Sequence, residues 1–327
     1  MVRIRELDAL RGIAALAVVI YHYTTRFELK FGYDYTTKYG EFPYGHFGVT
    51  LFFMISGFVI FMTLKKINSP IDFAVRRFIR LYPIFWICMI LTFSVIYLLD
   101  IDSLKVSMPD FVANFTMIPN FLGFHFVDGA YWTLQVELLF YVFIFILLLT
   151  KSTNKIIFWG ALYLLFIFGL TYFYRYSSFF FYGTLFLAGV NFYLIWTNNK
   201  DNYKNHILIF FCGIYPILIG DIATIISTIL FYGLFYLFIY GKLRFLDTPI
   251  LIFLGNISYV LYLTHQNIGH SIQLKMIEYG YTNYFLIIFI PLVVTISISA
   301  LLVYKIDTPI RSKLLNKWKQ RCITSLN

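Results

Sequence analysis

Residues 131–150 read YWTLQVELLFYVFIFILLLT. A helix needs about 20 mostly apolar residues to cross a bilayer core, and this run supplies them. Its one charge is Glu137, about six residues in from the aromatic pair Tyr131-Trp132, which suits a membrane interface. An ionised group at that depth costs roughly 2.5–3.5 kcal/mol on insertion, so it needs a partner or a task. The run therefore reads as a membrane helix with polar chemistry on its inward face.

Nine further runs of similar character flank it, at residues 7–25, 46–64, 79–99, 155–173, 178–197, 206–220, 222–241, 250–272 and 283–304. They explain why the 327-residue chain is 60% hydrophobic, only 13% charged, and has a mean hydropathy of +0.76. Soluble domains carry roughly 25% charged residues, so a water-soluble globule and a disordered chain are both excluded. The expected fold is all-α: a polytopic integral membrane protein of ten transmembrane helices. The weakest boundary is Gly220-Asp221, where one bent helix would reduce ten spans to nine. No internal repeat or low-complexity linker interrupts the chain. Residues 1–327 are expected to form a single transmembrane domain, with a short basic tail at 305–327 and no fused soluble domain. The first run has its small residues (Ala14, Ala15, Ala17) inside the apolar stretch and no cleavage site after it, so it reads as a retained helix.

The net charge of +10 comes from 26 Lys and Arg against 16 Asp and Glu. With the N-terminus in the cytoplasm and ten alternating helices, twenty of those 26 basic residues fall inside and six outside. That asymmetry is a positive-inside signal and puts both termini in the cytoplasm. The excess charge is then orientation, and no nucleic-acid partner is expected. Cys88, Cys212 and Cys322 form no pattern for a disulfide or a metal. Two longer outer loops, 26–45 and 100–130, carry aromatic and acidic residues where an outer substrate would arrive.

Within the spans, ionisable residues mark the candidate site. Arg11 and His22 are eleven positions apart on the first helix. At about 100° per residue the two fall on one face, separated by about 16 Å along the axis. Glu137 lies at a depth similar to His22, and a carboxylate beside an imidazole is the arrangement a general base requires. Arg77 and Arg80 share a helical face near the inner surface, where guanidinium forks suit phosphate. Ser258 and His265 are seven residues apart on the ninth run, hence on one face. Each has a plain structural reading as well: interfacial anchor, interhelical clamp, solvated inner loop, helix–helix hydrogen bond. Ser56 and Gly57 likewise permit either a close ligand or close helix packing.

These pieces, in this order, resemble the membrane-bound acyltransferase family 3. Arg11, ten residues and His22 resemble its first-helix motif. Residues 48–58, GVTLFFMISGF, are similar to its second-helix motif, and Arg77-Phe78-Ile79-Arg80 to its double-arginine motif. Residues 131–137, YWTLQVE, resemble its tryptophan-to-glutamate motif, with Thr133 where serine is commoner. Gly255-Asn256-Ile257-Ser258-Tyr259 through His265 resembles its late-helix motif. The resemblance covers essentially the whole chain. It implies an O-acyltransferase of the inner (cytoplasmic) membrane that moves an acyl group, acetyl being the family's commonest, from cytoplasmic acyl-coenzyme A to a hydroxyl of a surface or lipid-linked saccharide. His22 and Glu137 would be catalytic. Arg11, Arg77 and Arg80 would bind the donor, and Trp132, Ser258, Tyr259 and His265 the acceptor. Acyl-coenzyme A would be a substrate, with no tightly bound cofactor and no metal; the other partners are the glycan acceptor and membrane lipids. The rival reading is a proton-coupled transporter that uses the His and Glu pair as a relay.

Overall fold

The computed structural model describes residues 4–33, 41–173, 178–197 and 203–324. The middle of the loop at 26–45 lies outside them, as do Arg3, Lys38, Arg175 and Lys200 of the charge pattern. The described residues are helical, with no strand among them. Every one of the ten apolar runs contains a helix: α1 (Arg5–Tyr21), α2 (Gly48–Leu64), α3 (Pro70–Leu98), α4 (Trp132–Leu149), α5 (Ile156–Phe173), α6 (Ser178–Thr197), α7 (Tyr203–Ile219), α8 (Ile222–Ile239), α9 (Pro249–Glu278) and α10 (Tyr284–Leu302). At the weakest boundary the chain breaks cleanly. The Asp221 carboxylate accepts the Thr224 N–H at 2.8 Å and caps α8, so α7 and α8 are separate helices.

Among the described residues, seven helical stretches, covering most or all of α2 to α6, α8 and α10, are long and apolar enough to cross a membrane. The chain is thus a multi-pass membrane protein. Of the others, α1 and α7 each have 17 residues. The 30-residue α9 is long enough, but polar side chains dilute its hydropathy. Thr264, His265, Gln266, Asn267, His270, Ser271 and Gln273 on it are nevertheless all buried. Such a helix is stable at membrane depth only where protein, not lipid, surrounds its polar groups.

The chain clusters into two compact units. The first comprises Met1–Ala14, Phe47–Phe73 and Val136–Ile252. Its tightest packing is α2 on α6. A Cβ added at Gly57 would lie 2.1 Å from the Phe186 carbonyl oxygen, and one at Gly189 would lie 2.0 Å from that of Met54. Gly57 therefore serves backbone-to-backbone helix packing, the plainer of its two readings.

The second unit comprises Ala15–His46, Ala74–Gln135 and Phe253–Asn327. Here the loop 100–130 is a built structure rather than a connector. Ser107 and Asp110 form a reciprocal cap on the short helix Met108–Asn114. The Asn114 amide then holds the returning chain, donating to the His125 carbonyl at 2.8 Å and accepting the Val127 N–H at 3.1 Å. Asp128 ends the loop. Its carboxylate accepts the Ala130 N–H and, from the middle of α9, the Asn267 N–H, each at 2.8 Å. The Leu263 carbonyl, one turn earlier on α9, accepts the Tyr131 hydroxyl at 3.2 Å. A backbone donor and a backbone acceptor one turn apart on α9 are thus engaged by side chains, which fixes the loop against the polar helix.

Candidate active site

His22 sits at a change of helix type. The α geometry of α1 runs to Tyr21, then residues His22–Arg26 form a π-helical stretch, and α geometry resumes at Phe27–Phe31. The register argument for Arg11 and His22 rests on α geometry, which holds over the intervening turns. Single π turns leave carbonyls displaced from their usual donors and recur at functional sites. Side chains of α9 meet two such carbonyls here: His270 Nε2 donates to the His22 carbonyl and Gln273 Nε2 to that of Tyr23, both at 2.9 Å.

The imidazole of His22 is half-buried. Its Nδ1 lies 2.8 Å from the Val18 carbonyl and 3.3 Å from Nε2 of His265. The two rings meet edge to face, centroids 4.8 Å apart. His265 is fully buried, and its Nδ1 is 2.8 Å from the Tyr262 carbonyl. The neighbouring Tyr23 hydroxyl donates to the His265 carbonyl at 2.8 Å and lies 3.1 Å from Thr295 Oγ1 on α10. Tyr262 is braced in turn, its hydroxyl donating to the Ala130 carbonyl at 3.1 Å and lying 3.0 Å from Thr133 Oγ1. Thr133, where serine is commoner in the motif it resembles, therefore keeps a useful hydroxyl.

The structure brings His22 and His265 together within the second unit. His270, also on α9, joins them through backbone. Five residues past His265, it is off that residue's helical face, yet it bonds the His22 carbonyl at the π turn, and its ring lies 6.4 Å from that of His22, centroid to centroid. Glu137 belongs to the first unit, where its carboxylate accepts the Tyr141 hydroxyl at 2.5 Å. Arg77 and Arg80 lie one turn apart on α3, Arg77 buried and Arg80 half-buried. The Tyr259 hydroxyl reaches the Leu81 carbonyl, next to Arg80, at 3.5 Å. Ser258 is fully buried and donates to the Gly255 carbonyl of its own helix at 2.8 Å. Trp132, at the start of α4, is half-buried, and so is Arg11 on α1. Among the described residues no group of His, Cys, Asp and Glu has metal-site geometry.

In the sequence Asp128 is one acid among several in the loop 100–130, yet in the fold it ties that loop to α9. Burial pushes its carboxyl up to about 6, against the pull of the Ala130 and Asn267 N–H groups and the Lys30 ammonium. The folded chain thus takes up this proton at higher pH than the unfolded chain, where the group titrates near 3.8. Its contribution to stability is fully present below that lower value and is lost as pH rises through about 6. Asp128→Asn cannot titrate and should flatten the dependence of Tm on pH between about 4 and 7, read by thermal unfolding in detergent. The asparagine would also set an N–H₂ against one of the two N–H groups, costing about 1–3 kcal/mol.

The family model described as "Acyltransferase domain" matches residues 4–304. Proteins of Staphylococcus aureus strains COL, MSSA476 and MRSA252, each named "Putative O-acetyltransferase", are 29% identical to the chain over 179 residues, covering 47% of it and 27% of theirs. The match thus spans about a quarter of the length of these curated relatives. No solved structure matches the chain.

Proposed function

Because this chain belongs to the acyltransferase 3 family, we propose that it is a transmembrane O-acyltransferase, moving an acyl group, acetyl in the first instance, from cytoplasmic acyl-coenzyme A to a hydroxyl of a surface or lipid-linked saccharide on the outer side. It sits in the inner membrane with ten crossings and both termini in the cytoplasm. Family membership favours this chemistry over proton-coupled transport.

One observation carries the site assignment. His22 has Nδ1 engaged while Nε2 has no hydrogen-bond partner among the described residues, so a base is available on a half-buried ring. The donor's phosphates dock on Arg77 and Arg80, with Arg11 contributing charge, and its thioester reaches His22. Nε2 takes the proton of the acceptor hydroxyl as the oxygen attacks the thioester carbonyl. The tetrahedral intermediate collapses with cleavage of the C–S bond, and the imidazolium returns the proton to the departing thiolate. Glu137 is the second residue proposed as catalytic, on its match to the tryptophan-to-glutamate motif. Trp132 and Tyr259 supply aromatic faces for the saccharide. A relay in which His22 is itself acylated first uses the same residues.

Coenzyme A should raise the Tm of the purified protein, and Arg77→Ala with Arg80→Ala should remove that shift. Arg80→Ala alone, which spares the buried Arg77, should weaken it. The ester content of surface polysaccharide with and without the protein, by mass spectrometry, names acyl group and acceptor together. No coenzyme A effect and no change in esters would sink the reading.

A further inference from the structure

With both rings neutral, hydrogen-bond chemistry at the two histidines fixes which nitrogen of each carries the proton. A carbonyl oxygen can only accept, so His265 Nδ1, 2.8 Å from the Tyr262 carbonyl, must carry hydrogen. Neutral His265 therefore presents a lone pair at Nε2, and that atom faces His22 Nδ1 at 3.3 Å. His22 Nδ1 also faces the Val18 carbonyl at 2.8 Å, which again can only accept. One proton on His22 Nδ1, shared between two acceptors, satisfies all three contacts. The opposite assignment, a lone pair on that atom, would set it against a carbonyl oxygen. His22 is thereby held as the Nδ1–H tautomer with its lone pair on Nε2.

We propose that His265 is the positioning residue for His22: a neutral imidazole doing for this base what a carboxylate does in a Ser-His-Asp triad. It holds the ring in the tautomer whose Nε2 is basic, and it accepts from Nδ1–H when proton transfer makes the ring an imidazolium. Two features fit the role. The Val18 acceptor belongs to α1 and turns with it, whereas His265 sits on α9 and fixes the ring against a second helix. His265 is itself held at its ring by Tyr262 and at its carbonyl by Tyr23. This assignment rests on the acyltransferase reading for its kinetic consequence, but not for the tautomer. It moves His265 from acceptor binding, its role in the sequence reading, to support of the base.

The experiment compares His265→Leu with His265→Gln, because glutamine places a carbonyl oxygen near the position of Nε2 and keeps the acceptor. His265→Leu should lower kcat by about 10- to 100-fold, the worth of one hydrogen bond to a charged group, with KM for acceptor little changed. His265→Gln should recover most of that loss. ¹⁵N-histidine NMR of the full chain in nanodiscs, with His22→Ala to assign the signal, should show His22 protonated at Nδ1 and bare at Nε2. The Nδ1–H signal should move in His265→Leu and stay in place in His265→Gln. The proposal is overturned by a His22 protonated at Nε2, by full kcat in His265→Leu, or by a KM effect alone. It is equally overturned if glutamine is as inactive as leucine while the His22 signal is undisturbed. The NMR reads the tautomer without substrate. A wild-type protein with the expected tautomer and no transferase activity would therefore defeat the function reading and leave this one standing.

Discussion

Alanine at His22 is expected to leave a folded, membrane-inserted protein that no longer transfers acyl groups. The ring is half-buried and its hydrogen bonds are to one backbone carbonyl and one imidazole, so removing it opens space without stranding a charge. Catalysis loses the proton acceptor, worth about 10²–10⁴-fold. If His22 also carries the acyl group, the loss is complete. Acceptor ester measured by mass spectrometry reads the effect, and the coenzyme A shift in Tm should persist because the arginines are untouched. Full activity in His22→Ala would remove the residue from the chemistry. Quenching the wild type with isotopically labelled acetyl-coenzyme A separates the routes: label on His22 marks the relay, its absence direct transfer.

Gly269→Ala is expected to damage both stability and activity. A Cβ at this position would lie 2.1 Å from Tyr23 Cε1, 2.2 Å from its Oη and 2.3 Å from its Cζ. That ring is only 1% exposed, and its hydroxyl is committed to the His265 carbonyl and Thr295. It has nowhere to retreat without giving up those bonds. Overpacking of this kind costs about 1–3 kcal/mol, sometimes more. Tyr23 follows His22 directly in the π stretch, so displacing it also disturbs the base. Both Tm and kcat should fall. Adding Tyr23→Leu to Gly269→Ala should restore part of the Tm, a non-additivity expected only of residues in contact. A Gly269→Ala protein with wild-type Tm would show that the ring and the glycine backbone are not packed as described.

Much of this was legible in residue order. All ten apolar runs became helices because a chain in hydrocarbon must satisfy its backbone locally, and a long apolar run does so only as a helix. The double-arginine, tryptophan-to-glutamate and first-helix patterns identified the family ahead of any fold. The Gly220-Asp221 break was written there too: an aspartate three residues before an N–H it can cap is a local signal. Gly57 stood as either ligand approach or helix packing, and the carbonyl of Phe186 on α6 chose the second.

What residue order by itself determined, then, is whatever depends on near neighbours: the membrane class, the helix runs, the family and the short set of ionisable residues within the spans. The tertiary structure decided which of those residues meet. Nothing near His22 in the chain says that its ring will find His265, 243 residues away, or that His270 and Gln273 will complete the carbonyls of a π turn. A helical register counted at 3.6 residues per turn contains no π turn, and Asp128 looks like any loop acid until the N–H of Asn267 lies 2.8 Å away. Burial of apolar surface is settled residue by residue against the solvent. Pairing of polar groups is settled by long-range contacts that bring donors and acceptors to about 3 Å, and only folding supplies those.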